Sequence, residues 1–153
     1  MLQLIRTNSK NERFISLVKL LDQELAERDG AEHGFYATYN GIDQIQHVVL
    51  VMENDQAIAC GAFKAFEEDS VEIKRMFVLK EVRGKGVAAS VLSSLEEWAL
   101  ELGYQKTVLE TGKRQPEAIG LYLKNGYRQI SNYGQYAGVE NSVCFEKKLL
   151  IDD

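Results

Sequence analysis

The chain has 153 residues, of which 45% are hydrophobic and 27% charged, and its formal net charge is −5. This length suits a single domain over residues 1–153 with a sizeable core, and the composition is ordinary for a soluble globular protein. The negative charge argues against a broad nucleic-acid-binding face, and no apolar run approaches the ~20 residues that cross a bilayer. The N-terminal sequence has no export signal, so a cytoplasmic protein that does not contact membranes is expected.

Strand-like and helix-like periodicities alternate along the chain. Ser9 and Glu12 have capping-box spacing, Asn54-Asp55 is a hairpin turn signal, and Pro116 suits the first turn of a helix. In chain order the predicted elements are a strand at 2–6, a helix from Ser9, a loop or short second helix at 28–41, strands at 46–53, 57–66 and 71–79, a helix at 84–102, a strand at 106–110, a helix at 116–124, and strands at 127–130 and 142–149.

This order predicts an α/β domain built on a mixed sheet. Cys60 and Cys144 both lie in apolar, strand-like runs, which favours buried free thiols over a disulfide.

The most distinctive segment is residues 71–88, in which an apolar strand is followed by a glycine turn and the start of a helix. The start of a helix presents unpaired backbone N–H groups and the positive end of the helix dipole, which suits a phosphate group. Gly84 and Gly86 lack a Cβ atom, so a ligand can approach the backbone closely. The segment therefore predicts a ligand that carries phosphate.

Two motifs in the correct order resemble the signatures of the GNAT-type N-acetyltransferases. Residues 83–88 (RGKGVA) match the family's R/Q-x-x-G-x-G/A signature, between a fourth strand and a long helix. Residues 118–127 (AIGLYLKNGY) resemble its second signature, A-x-x-L-Y-x-x-x-G-F/Y. The resemblance covers residues 45–149 well, whereas residues 1–44 match only in the order of elements.

The resemblance implies a mixed, mostly antiparallel sheet of six to seven strands, flanked by about four helices, with strands 4 and 5 splayed around the cofactor. It implies acetyl-CoA as co-substrate and no metal. Gln115 departs from the family, since many members carry Asn there. The residues implied to bind acetyl-CoA are Met76, Phe77 and Val78 for the pantetheine arm, Arg83, Gly84, Lys85, Gly86, Val87 and Ala88 for the pyrophosphate, and Gln115.

The resemblance also implies catalytic groups. Tyr122 matches the family tyrosine that gives a proton to the departing thiolate, although a half-buried core tyrosine is the structural alternative. Glu72 is a candidate general base or water-positioning residue, and Glu110 is a weaker candidate. A structural salt-bridge set of Glu72 with Lys74 and Arg75 is the alternative; period two places residues 72 and 74 on one face of the strand and 75 on the other. His33 and His47 are not expected at the reacting atoms.

Aromatic residues outside the cofactor motifs predict where the acceptor binds. Tyr36, Tyr39 and Tyr136, the last in the loop at 131–140, are candidate walls of a pocket for an amine. The predicted function is transfer of the acetyl group to a primary amine of a small or amino-acid-like molecule by direct attack. The alternatives are an acetyl-CoA-binding sensor with weak or no catalysis and a protein N-terminal or lysine acetyltransferase. A small-molecule amine is the expected binding partner, and nucleic acid is not expected to bind. A homodimer is possible.

Overall fold

Seven strands and three α-helices make up the described part of the chain, which is residues 2–29 and 45–149 of the computed structural model. The strands are β1 (Leu2–Thr7), β2 (His47–Glu53), β3 (Gln56–Glu67), β4 (Ser70–Val78), β5 (Lys106–Gly112), β6 (Arg128–Ile130) and β7 (Ser142–Lys148). The helices are α1 (Glu12–Asp29), α2 (Val87–Glu101) and α3 (Pro116–Lys124), with short 3₁₀ turns at Lys80–Val82 and Gly134–Tyr136.

The strands form one sheet in the order β1-β2-β3-β4-β5-β7-β6. β4 and β5 run parallel, and the other neighbouring pairs are antiparallel. This confirms the predicted mixed, mostly antiparallel sheet. About four helices were predicted and three α-helices lie within residues 2–29 and 45–149; most of the predicted loop or second helix at 28–41 lies outside the described residues.

β4 and β5 are paired only near their beginnings. Residues 70–72 pair with residues 106–108, yet β4 continues to Val78 and β5 to Gly112. In this part of the chain the two strands therefore separate toward their carboxyl ends, as the predicted splay requires. Ligands of open α/β sheets bind at such a point, outside the carboxyl ends of strands.

A β-bulge interrupts β4 at the level of this gap. Arg75 and Met76 together lie opposite Gly61 of β3, and Arg75 has a positive φ of 61°. A Cβ atom at position 61 would lie 2.6 Å from Sδ of Met76 and 2.7 Å from Cγ1 of Val91, so only glycine fits there. A bulge bends its strand and re-aims its side chains, and it increases the local twist.

The bulge overturns the predicted facing of Arg75. Lys74 lies opposite Ala62, which packs in the core beneath α1, and Arg75 forms an ion pair with Asp22 of α1. Lys74 and Arg75 therefore share the α1 face of the sheet. The prediction from period two is wrong here because the bulge inserts one extra residue into the alternation.

Each face of the sheet has its own hydrophobic core. On one face α1 contributes Phe14, Leu17, Val18 and Leu21. On the other face α2 contributes Val87, Val91, Leu92, Leu95 and Ala99, together with Tyr122 of α3. The helices α2 and α3, which carry most of the second motif and the end of the first, therefore lie on the face opposite α1.

Most local signals hold, but the cap of α1 differs from the prediction. Oδ1 of Asn11 accepts hydrogen bonds from the N–H groups of Arg13 at 2.9 Å and Phe14 at 3.3 Å, so Asn11 is the N-cap. Ser9 is instead buried, and its N–H group donates to the carbonyl of Ile45 at 3.0 Å. The predicted cap lies two residues too early because a long-range contact holds Ser9.

No helix in residues 2–29 and 45–149 combines the length and apolar character needed to cross a membrane.

Candidate active site

A cleft of about 690 Å³ opens where β4 and β5 separate. Its walls come from the end of α1, β4, the turn before α2, the first residues of α2, the end of β5, and α3. The predicted site residues that line it are Glu72, Met76, Phe77, Val78, Arg83, Gly84, Gly86, Val87, Ala88, Gln115, Tyr122 and Tyr136. Lys85 lies exposed on the surface of the turn, and Tyr36 and Tyr39 lie outside the described residues.

The glycine turn at one end of the cleft is an open cradle of main chain. Gly84 and Gly86 both have φ of +81°, and a Cβ atom at either position would meet nothing within 4 Å. Gly86 is the N-cap of α2 and supplies no side-chain hydrogen bond to the first turn. The N–H groups at the start of α2 are therefore available to a ligand, and this geometry fits a pyrophosphate group.

Arg83 makes two polar contacts with the protein beside the glycine turn. Its guanidinium pairs with Glu24 of α1 at 2.9 Å, and its Nε donates to the carbonyl of Val78 at 2.8 Å. The guanidinium also lies 5.6 Å from the ring centroid of Phe77. Arg83 thus links α1, the end of β4 and the glycine turn, which is a structural function that the motif did not predict.

Tyr122 projects from α3 into the cleft and is 6% exposed. Its ring packs edge-on against Tyr127, with centroids 5.7 Å apart, and against Phe145. Burial raises the pKa of Tyr122, and the nearby charge of Glu110 raises it further. The hydroxyl therefore keeps its proton at neutral pH, as a general acid must before it acts.

Gln115 is the N-cap of α3 and lines the same cleft as Tyr122. Its side chain makes no cap hydrogen bond to the helix. An amide can both donate and accept, so this side chain is suited to a ligand in the cleft.

A buried polar cluster occupies the α1 face of the cleft. The hydroxyl of Tyr133 donates a 2.7 Å hydrogen bond to Oε2 of Glu72, while Nζ of Lys74 lies 3.9 Å from Oε1 of the same carboxylate. Lys74 also donates to the hydroxyl of Tyr136 at 3.4 Å. The loop at 131–140 therefore reaches β4, and its two tyrosines contact the charged pair directly.

The charges of this cluster perturb one another. Burial lowers the pKa of Lys74, and the Glu72 carboxylate opposes that shift. Burial raises the pKa of Tyr133, and Glu72 raises it further, so the phenol stays neutral and acts as a donor. The pair of Glu72 and Lys74 matches the salt bridge considered as the structural alternative, although both side chains line the cleft.

Glu110 brings a second carboxylate into the cleft from the end of β5. Its Oε2 accepts a 2.7 Å hydrogen bond from the Ser142 hydroxyl, and its charge raises the pKa values of Tyr122 and Tyr136. Glu110 is therefore close to the proposed acid Tyr122 as well as to the polar cluster.

Other candidate groups lie away from this chemistry. His47 stacks on Phe63 with ring centroids 4.8 Å apart and contacts Trp98, on the face that α2 covers. Cys60 and Cys144 are buried free thiols, as predicted, and burial raises the pKa of Cys60 to about 12 and that of Cys144 to about 11.

Sequence reasoning missed two features of the site. The contact of Tyr133 with Glu72 joins residues 61 positions apart, and only the choice of the loop at 131–140 as an acceptor wall pointed toward it. The left-handed conformation of Arg75 was missed as well, because position 75 itself is neither glycine nor asparagine; the one available signal was Gly61, an isolated glycine in the neighbouring strand opposite the bulge.

Comparison with known proteins agrees with this geometry. Residues 14–127 match the Acetyltransferase (GNAT) family, and the chain belongs to that family. An IAA acetyltransferase of Azospirillum brasilense is 28% identical over 146 residues, which cover 94% of this chain and 95% of that protein. An aminoalkylphosphonate N-acetyltransferase of Salmonella typhimurium is 27% identical over 80% of this chain and 81% of its own length.

A solved structure is also similar over nearly the full length. A Klebsiella pneumoniae protein assigned to the acyl-CoA N-acyltransferases superposes with a TM-score of 0.83 at 26% identity, covering 98% of this chain and 99% of that one. The fold is therefore the GNAT fold, and the chain is a member of an enzyme family that uses acetyl-CoA.

Proposed function

We propose that this protein transfers the acetyl group of acetyl-CoA to a primary amine of a small, amino-acid-like molecule by direct attack. One observation carries the proposal: the same cleft is lined by an open glycine cradle, by the buried carboxylate of Glu72 and by the half-buried carboxylate of Glu110. The cradle suits a phosphate-bearing substrate, and the carboxylates suit an amine that must lose a proton. Two relatives named as acetyltransferases of IAA and of aminoalkylphosphonates support a small-molecule acceptor.

On the cofactor side, the main chain at Gly84–Ala88 binds the pyrophosphate, and Val87 begins the helix whose dipole favours it. Lys85 adds charge from the surface of the turn, and Arg83 fixes the turn through Glu24. The unpaired edge of β4 at Met76, Phe77 and Val78 binds the amides of the arm as an added strand would. Gln115 completes this wall from α3. When bound, acetyl-CoA supplies an acetyl group activated as a thioester.

On the catalytic side, the neutral amine forms the new C–N bond while the C–S bond breaks. An N–H group of β4, at Phe77 or Val78, stabilises the developing negative charge on the carbonyl oxygen. Tyr122 gives its proton to the thiolate, and Glu72 takes the amine proton directly or through a water. Tyr133 and Lys74 hold the Glu72 carboxylate in place at the cleft.

On the acceptor side, Tyr136 forms one wall of the pocket on the α1 face of the sheet. Its neighbour in space is Lys74, so this wall is both aromatic and charged. Tyr36 and Tyr39 stay predicted as the opposite wall. Replacing Tyr136 with phenylalanine should raise the KM for the amine and leave the KM for acetyl-CoA unchanged.

The test is acetyl transfer itself. Purified protein is incubated with acetyl-CoA and a panel of small amines, and free CoA is followed with a thiol reagent. Amine-dependent thiol release with a matching acetylated product by mass spectrometry supports the proposal. Acetyl-CoA binding by calorimetry without any thiol release would favour a sensor, and release only with peptides would favour a protein acetyltransferase.

A further inference from the structure

Arg75 is the most unusual residue of the cleft. It lies in the β4 bulge with a φ of 61°, in a region that long side chains seldom occupy. Residues kept in such conformations cluster at functional sites. Its side chain is 6% exposed and nevertheless lines the cleft, on the face toward α1.

The hydrogen bonds of this buried guanidinium are incomplete. A guanidinium has five N–H donors, and NH1 of Arg75 donates to Oδ1 of Asp22 at 2.9 Å. Its Nε is buried and has no hydrogen-bond partner among residues 2–29 and 45–149. Buried polar groups in native proteins are almost always hydrogen-bonded, so an orphaned donor beside a cleft indicates a partner that arrives with a ligand.

The acidic side chains that the structure describes near Arg75 each have another partner or lie at the rim, so its guanidinium can still bind an anion. Asp22, its ion-pair partner, is 46% exposed and lies at the rim. Glu24, the next acid of α1 in the cleft, pairs with Arg83. Glu72 faces Lys74 and accepts from Tyr133.

We propose that Arg75 binds the anionic group of the acceptor, a carboxylate or a phosphonate, so that the substrates are amines that also carry an acid. This inference rests on the proposed function and names the substrate class of the same site. The planar array of N–H donors in a guanidinium matches the oxygen atoms of a carboxylate or phosphonate. Hydrogen bonds between oppositely charged groups are also stronger than those between neutral groups. Glu72 and Arg75 lie three residues apart on β4. A substrate whose amine is at the Glu72 carboxylate can therefore extend its acidic group to the Arg75 guanidinium.

The phosphates of acetyl-CoA are a poorer match for Arg75. The glycine cradle at Gly84 and Gly86 immediately precedes α2, and α2 packs on the face of the sheet opposite α1. Arg75 faces α1 and the polar cluster. Its ligand therefore belongs to the acceptor side.

The experiment pairs acidic amines with neutral analogues. The probes are 2-aminoethylphosphonate with its diethyl ester and β-alanine with β-alaninamide, assayed by CoA release. For the wild-type protein we expect kcat/KM to be at least ~10-fold higher for the acidic member. In Arg75→Asn, a substitution that tolerates positive φ, kcat/KM for the acid should fall by roughly 10- to 100-fold, while the neutral analogue and the KM for acetyl-CoA stay within about threefold.

Two further variants separate binding from structure. Asp22→Asn keeps the guanidinium and removes its rim partner, so the preference for the acid should persist. Arg75→Lys keeps the charge without the planar fork and should give an intermediate loss. A preference that survives in Arg75→Asn, or a rise in the KM for acetyl-CoA instead, would overturn the assignment.

A binding measurement covers the case in which none of these amines is acetylated. The Nε–H resonance of Arg75, identified by its absence from the spectrum of Arg75→Asn, is followed by ¹H–¹⁵N NMR during titration with methylphosphonate. A saturable shift of that resonance supports the anion site, and no shift overturns it. Acetylation of neutral amines with no effect at Arg75 would leave the proposed function standing, whereas failure to bind acetyl-CoA would reject that function independently.

Discussion

The contribution of the Tyr133–Glu72 hydrogen bond to stability can be measured by removing the hydroxyl oxygen of Tyr133. In Tyr133→Phe the ring remains, but the carboxylate of Glu72, which is 3% exposed, loses its 2.7 Å donor. Hydrogen bonds to charged groups contribute about 1.5 to 3 kcal/mol, and a buried acceptor left unsatisfied incurs a further desolvation penalty. Lys74 at 3.9 Å is too distant to replace that bond. We therefore expect the free energy of unfolding to fall by about 1.5 to 3 kcal/mol.

Urea unfolding measures this loss, with an unchanged m-value as evidence that the unfolded state is not altered. For a chain of this size the loss corresponds to a Tm about 3 to 12 °C lower. Tyr104→Phe is the matched control, because Tyr104 is also half-buried and no described residue hydrogen-bonds its hydroxyl; its effect should stay within about 0.5 kcal/mol. Equal stability of Tyr133→Phe and the control would refute the argument.

Three other changes address the chemistry, the cradle and the pH response. Tyr122→Phe should lower kcat by roughly 10²-fold with little change in the KM for acetyl-CoA, since it removes only the proton; full activity when chemistry limits the rate would exclude Tyr122 as the acid. Gly86→Glu should abolish acetyl-CoA binding measured by calorimetry, whereas Gly103→Glu, also at a positive φ of +96°, should lose similar stability but bind normally; equal affinities would contradict the cradle. Burial lowers the pKa of His47, so its neutral form is favoured in the fold and stability should decrease as pH falls below the ordinary value of 6.5. His47→Gln should flatten this decrease in urea unfolding between pH 7 and about 5.5, and an unchanged slope would reject the account.

Elements defined by local chemistry were predictable from the sequence. The turn at Asn54 and Asp55 has positive φ at both residues, as a tight hairpin requires. The helix α3 has the predicted bounds, since Pro116 suits its first turn and Gly126 follows its last residues. The order of strands and helices along the chain was equally accessible, because the hydrophobic periodicity indicates it.

Features that depend on long-range contacts were not predictable. The cap of α1 moved from Ser9 to Asn11 because Ser9 bonds to Ile45, which is distant in sequence. The predicted face of Arg75 was wrong because strict alternation along a strand does not account for the extra residue of a bulge. The contact between Tyr133 and Glu72 forms only when the loop at 131–140 folds back onto β4.

The short pairing between β4 and β5 divides the sheet into two parts. In the described part of the chain, strands β1 to β4 are joined to strands β5 to β7 through main-chain pairing at residues 70–72 and 106–108. A ligand bound between the separated ends of β4 and β5 contacts both parts, and at a hundredfold excess over its Kd it stabilises the folded state by about 2.7 kcal/mol. Local separation of β4 from β5, measured by amide hydrogen exchange or proteolysis, should therefore slow when the cleft is filled. The rate of this local opening would then depend on the concentration of the ligand.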